Sequence, residues 1–150
     1  MNFWSKSNFI SKSLQVYDIF VNEINCKYIW SCDKSKIFHL YKKNVRPSHV
    51  EIGPGTGYYL KPSMQKIKNL ALVDINQDIL DYSRKKLKKD NCNIETFRIN
   101  LFSKPNKFTI NENSSIGINC VLHCIPGKLE TKIQHILDNV EKDKNIVLFG

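Results

Sequence analysis

The segment Glu51-Ile52-Gly53-Pro54-Gly55-Thr56-Gly57-Tyr58 constrains this chain more than any other. Its three glycines fall at alternate positions, directly after His49-Val50-Glu51-Ile52, which reads as a short strand. Such a turn must be tight and must let a neighbour touch bare backbone, an approach that a Cβ would block. In open α/β sheets, turns of this kind stand off the carboxyl ends of the strands, where nucleotide-type ligands bind.

The flanking pattern predicts such a sheet. Residues 12 to about 45 read as helical, with Leu14, Tyr17, Phe20, Val21 and Ile24 on one face. A second short helix follows the N-cap candidate Asp33, carries Ile37, Leu40 and Tyr41 on one side, and ends at Arg46-Pro47-Ser48. The glycine turn is expected to lead from the first strand into a helix. Asn69-Leu70-Ala71-Leu72-Val73-Asp74 reads as a second strand, and Asn76 as the cap of a helix bearing Ile79, Leu80, Ser83 and Leu87. Residues 94–99 alternate as a third strand and residues 115–121 make a fourth. Leu129, Ile133, Ile136, Leu137 and Val140 form a helical stripe, and residues 145–149 begin a fifth strand. Strands apolar on both faces that alternate with helices predict a parallel sheet covered on both sides. The chain is read as one α/β domain, with a helical extension over 1–47 and a sheet core over 48–150.

Composition narrows the partners. Apolar residues make up 41% of the 150 residues, which suits a globular domain. No stretch approaches the roughly 18 apolar residues of a membrane span, and the first residues lack a signal-peptide pattern, so no membrane contact and a cytoplasmic setting are expected. Twenty of the 23 basic residues are lysine, scattered except for Arg84-Lys85-Lys86 and Lys88-Lys89. That run reads as the solvated end of a helix and complements its dipole, so the charge of +9 does not argue for nucleic acid. Five cysteines without a CxxC pair signal neither a disulfide framework nor a zinc site. Cys120 and Cys124 could share a helical face beside His123, but a metal needs another ligand, so no metal is expected.

Two ligand classes compete for the glycine turn. A dinucleotide fingerprint, G-x-G-x-x-G, would need its third glycine at position 58, which is Tyr58. Glu51 beside the turn would also repel a pyrophosphate. A ligand without phosphates that carries a positive sulfonium and an ammonium tolerates that carboxylate, and S-adenosylmethionine (SAM) is such a ligand. Asp74, 17 residues beyond Gly57 at the end of the second strand, has two readings: an acceptor for both ribose hydroxyls, or part of a helix cap. The glycine turn favours ribose.

Glu-x-Gly-x-Gly-x-Gly followed by a strand-end Asp resembles the cofactor signature of the class I SAM-dependent methyltransferases. The chain is similar, more narrowly, to small methyltransferases of natural-product biosynthesis. That similarity is carried by Tyr17-Asp18, Trp30-x-Cys32, the run from His49 through Tyr59-Leu60, Asn119-x-x-Leu122-His123-Cys124-x-Pro126-Gly127, and Leu148-Phe149-Gly150. The resemblance implies a Rossmann-like sheet and SAM as cofactor. It implies that Gly53, Pro54, Gly55 and Gly57 bring backbone to the methionine part and ribose, and that Glu51 orders the turn and reaches the ammonium through water. Ile75 would pack on the adenine, Asn100 and Leu101 would hold its edge, and the Asn119 carbonyl would meet the methionine amine. The family more often has Asp where Asn100 stands. Tyr17 is either a cover for the cofactor or a plain core residue.

SAM is an activated donor, so the protein has to align a nucleophile with the methyl carbon and exclude water. A base is needed only for a hydroxyl or protonated amine, and His123 is the candidate, weighed against a histidine that merely supports its loop. The remaining histidines, His39, His49 and His135, show no partner in the sequence. Class I methyltransferases have seven strands, so the resemblance implies that the sequence stops in or after strand 5. The apolar edge Ile146-Val147-Leu148-Phe149 would then be open to a second copy or a partner chain. The leading expectation is methyl transfer to a small molecule. The alternatives are an inactive SAM-binding module paired with another chain, and an RNA or protein methyltransferase.

Overall fold

The computed structural model describes residues 33–100, 113–119, 121–122, 125–138 and 145–150. Among these, helix α1 (Lys34–Asn44) leads into strand β1 (Ser48–Ile52), followed by a 3-10 helix (Lys61–Lys66) and β2 (Asn69–Asp74). Helix α2 (Gln77–Leu87), β3 (Asn93–Arg98), β4 (Ser115–Gly117), α3 (Leu129–Asp138) and β5 (Val147–Phe149) complete the order. The five strands are parallel in the order β3-β2-β1-β4-β5. The chain direction across the sheet therefore reverses between β1 and β4, and every strand's carboxyl end lies on one edge.

Local chemistry sets the boundaries. The Asp33 carboxylate accepts from the Ser35 N–H at 2.8 Å, and that bond holds its pKa below the usual value. Lys42 and Lys43 occupy the last turn of α1, where cations complement the dipole. At its end the Val45 N–H donates to the Tyr41 carbonyl at 3.0 Å. Asn76 caps α2 by accepting from the Asp78 N–H at 2.9 Å.

The sheet is buried on both faces, as the apolar strands require. Leu70 and Leu72 of β2 join one cluster with Ile37, Tyr41, Leu80 and Leu87, beneath α1 and α2. Val73, offset by one residue and so on the other face, joins Val50, Ile52, Ile116, Ile118 and Ile136. His49 and Glu51 alternate with Val50 and Ile52, so they point toward the α1 side. Both are buried.

Several expectations change. The glycine turn leads into the 3-10 helix, not an α-helix; Pro62 lies in its first turn, and the segment ends within three residues of β2. Strand β4 stops at Gly117, short of residue 121. Leu40 is 36% exposed because it stands about 100° around the helix from the buried Tyr41. Leu137 is 44% exposed for the same reason, next to the buried Ile136, and Leu129, the first residue of α3, is 57% exposed. The helix expected before residue 33, Val140, Cys120 and Cys124 lie outside the described residues. Among the described residues no helix is long and apolar enough to cross a membrane.

Candidate functional site

The common carboxyl edge carries the site. In sheet order it presents Asn100 after β3, Asp74 at the end of β2, Gly53 after β1 and Asn119 beyond β4. The Gly53 N–H donates to the Val73 carbonyl at 2.8 Å, and the Ile99 N–H donates to the Asp74 carbonyl at 3.0 Å. The sheet's hydrogen bonding thus continues to the lip of the edge.

The glycine turn is held by backbone and by α2. Gly53, Gly55 and Gly57 all have positive φ, at 63°, 53° and 71°. The Gly57 N–H closes the turn on the Pro54 carbonyl at 2.8 Å. The Ser83 hydroxyl of α2 donates to the Gly55 carbonyl at 2.5 Å. Two of the glycines are needed for packing. A Cβ on Gly53 would overlap Val121 Cγ2, and one on Gly57 would meet Leu87 Cδ1, Cδ2 and Cγ at 2.9 Å. Gly55 differs: among the described residues nothing lies within 4 Å of its notional Cβ, so bare backbone is clear of them there.

Beside the turn, Asp74 Oδ1 accepts from the Asn76 N–H at 2.9 Å. Partial burial raises the Asp74 pKa, while the N–H groups of Asn76 and Ile75 pull it back. Ile75 is 63% exposed, an apolar surface next to a carboxylate, and Arg98 Nε donates to its carbonyl at 3.2 Å. Beyond β4, Lys132 of α3 donates to the Leu122 carbonyl at 2.8 Å and fixes the segment that brings Val121 onto Gly53.

Of the residues singled out in the sequence, Gly53, Pro54, Gly55, Gly57, Asp74, Ile75, Asn100 and Asn119 come together along this edge. Tyr17, Leu101 and His123 lie outside the described residues. The Glu51 carboxylate turns toward α1: the Tyr41 hydroxyl donates to Oε1, and His49 Nε2 lies 2.9 Å from Oε2. His49, which shows no partner in the sequence, therefore has Glu51 on one side and Ser115 Oγ at 2.8 Å on the other. The His49-x-Glu51 spacing puts both side chains on one strand face and was a usable signal. Nothing local pointed to Tyr41 or Ser115.

Tyr58, at the place of a dinucleotide turn's third glycine, packs against Phe38 and Tyr59 with ring centroids 5.4 and 5.1 Å away. The turn also opens onto a 3-10 helix and offers no α-helix N-terminus, the feature that favours a pyrophosphate.

No protein-family model matches the chain. It is 30% identical over 157 residues to methyltransferase verB of Penicillium polonicum, an alignment covering 92% of this chain and 67% of that protein. The chain belongs to the class I SAM-dependent methyltransferases. This methyltransferase chain is also 27% identical over 129 residues to the demethylluteothin O-methyltransferase of Streptomyces thioluteus, covering 85% of the chain and 55% of that protein. To the physcion biosynthesis cluster O-methyltransferase of Aspergillus chevalieri it is 26% identical over 136 residues, covering 87% and 60%. The chain thus spans little more than half the length of these two relatives. The crystal structure of N-methyltransferase NodS from Bradyrhizobium japonicum WM9 with S-adenosyl-L-homocysteine (SAH) shares the fold. It superimposes with a TM-score of 0.56 at 16% identity, over 77% of this chain and 58% of that one.

Proposed function

We propose that this methyltransferase chain binds SAM at the carboxyl edge of its sheet and transfers the methyl group to a small-molecule acceptor. The observation that carries the reading is the turn at residues 53–57: three left-handed glycines, with Gly55 clear of every other described residue on its Cβ side, near Asp74 and the exposed Ile75. The natural-product methyltransferases it resembles support the class of acceptor.

The residues present fit the cofactor. Bare backbone at residues 53–57 admits the ribose and methionine part, and the Asp74 carboxylate is an acceptor for the two ribose hydroxyls. Ile75 offers the adenine an apolar face, Asn100 and Leu101 its polar edge, and the Asn119 carbonyl an acceptor for the amine. Tyr17 covers the cofactor from the N-terminal extension, residues 1–47, while 48–150 form the core. Glu51 orders the turn from behind. Bound SAM supplies an already activated methyl group, so the chain's own work is positioning and the exclusion of water. Where the acceptor is a hydroxyl or an amine, His123 takes its proton. We extend the proposal to a cytoplasmic setting and to pairing of a second chain at the outer edge of β5.

Calorimetric titration of the purified chain with SAH and with NAD tests the reading. Saturable SAH binding with no heat from NAD is expected; binding of NAD, or of neither, would overturn it.

A further inference from the structure

The three glycines of the turn have no side chains to anchor them, so besides the buried Pro54 and Thr56 the turn is held from its flanks. On one flank α2 supplies Ser83 and Leu87. On the other flank stands β1, and its last two inward residues on the α1 face are His49 and Glu51, which are 1% and 4% exposed. A buried carboxylate persists only where donors meet it.

The donors and acceptors form a connected chain. The Arg46 N–H donates to Ser115 Oγ at 3.0 Å. The Ser115 hydroxyl meets His49 Nδ1 at 2.8 Å, and the other ring nitrogen, Nε2, faces Glu51. Nε2–H in turn donates to Glu51 Oε2 at 2.9 Å, while the Tyr41 hydroxyl donates to Oε1. Every side chain of this network has a partner, and among the described residues no buried side-chain polar atom lacks one.

The neighbouring strand is cut to fit this pair. Gly117 of β4 lies opposite Glu51. A Cβ there would overlap Glu51 Oε2 and stand 3.2 Å from both Glu51 Cδ and His49 Cε1. On its other side the His49 ring stacks on Phe149 of β5, with centroids 5.9 Å apart and planes at 21°. The chain of hydrogen bonds links α1, β1 and β4, and it ends two residues before Gly53.

We propose that His49 is a positioning residue for the glycine turn, acting through Glu51 to fix the end of β1 from which the turn departs. The proposal rests on the turn being the SAM cradle. It assigns Glu51 a role behind the turn, with both carboxylate oxygens committed to protein donors.

The test uses the whole 150-residue chain and two readouts: amide hydrogen exchange at Gly53 and Gly57, and the Kd for SAH. His49→Leu removes both ring hydrogen bonds and is expected to speed exchange at these amides by about tenfold, above any global change in stability. It is also expected to weaken SAH binding by about tenfold, because a buried charge loses a donor next to the turn. His49→Gln, whose amide can accept from Ser115 and donate to Glu51, should restore both. Ile37→Ala, in the same apolar cluster, should lower Tm while leaving local exchange at the turn and the Kd unchanged. Should His49→Leu fail to fold, Ser115→Ala carries the test, since it takes away the partner of His49 Nδ1, together with the acceptor of the Arg46 N–H, and leaves the His49–Glu51 contact in place. The proposal is overturned if the turn exchanges no faster in the folded variant than in Ile37→Ala at equal Tm loss, or if His49→Gln behaves as His49→Leu. Failure of the unmodified chain to bind SAH would overturn the cofactor reading, and the exchange data would still decide the role of His49.

Discussion

Replacing Gly53 with alanine is expected to cost more than the same change at Gly55, although both residues hold positive φ, at 63° and 53°. An alanine in the left-handed region costs about 1–2 kcal/mol, and both variants bear that cost. Only at Gly53 does the new methyl overlap Val121 Cγ2, with Val121 Cβ at 3.3 Å and Cγ1 at 3.4 Å. Overpacking of this kind adds roughly 1–3 kcal/mol. For a domain of this size the sums correspond to Tm losses of about 4–20 °C for Gly53→Ala and about 2–8 °C for Gly55→Ala. Thermal melts followed by circular dichroism measure both. A double-mutant cycle with Val121→Ala should return the overlap contribution and leave the backbone cost in place. Equal losses at the two glycines, or no coupling to Val121, would refute the close approach of the β4 segment to the turn.

The ligand inverts that ranking. Gly55→Ala, the milder change for folding, is expected to weaken SAH binding by at least about tenfold in calorimetry, because its methyl enters the space left for the cofactor; unchanged affinity would move the ligand off the turn. Burial raises the Asp74 pKa above the usual 3.8, so the folded state holds this proton more tightly than the unfolded chain does. The stability it contributes is present at low pH and is lost as pH rises through the raised value. Thermal melts of the ligand-free protein from about pH 4 upward should therefore show Asp74→Asn gaining on the unmodified protein, while its SAH affinity at neutral pH falls. A parallel pair of curves would contradict this. Tyr41→Phe removes the donor to Glu51 Oε1 and should cost about 1–3 kcal/mol in urea denaturation, the expense of an unsatisfied buried group. A loss near zero would mean that water replaces the hydroxyl.

Much of the sheet was legible because its signals are local. The alternation and apolar runs of β2 and β3, the caps Asp33 and Asn76 and the glycine spacing each act within a few residues, and each element formed close to its expected bounds. What was not legible depends on distant packing. The short β4 and the exposure of Leu40 and Leu137 reflect which helix face meets the sheet. The 3-10 helix after the turn follows from Pro62 and from the few residues left before β2. The site divides in the same way. Its glycines, Asp74 and Ile75 are marked by spacing along the chain. Tyr41 of α1, the partner of Glu51, and Ser115, the partner of His49 and 66 residues away from it in sequence, are brought to the pair only by the fold.

A crystal structure of this chain with SAH decides where the cofactor sits. Expected are the ribose hydroxyls on the Asp74 carboxylate, the adenine against Ile75 and the homocysteine part over the bare backbone at Gly55. SAH bound at any other edge of the sheet, or held at the turn with Asp74 making no contact to it, would contradict the account.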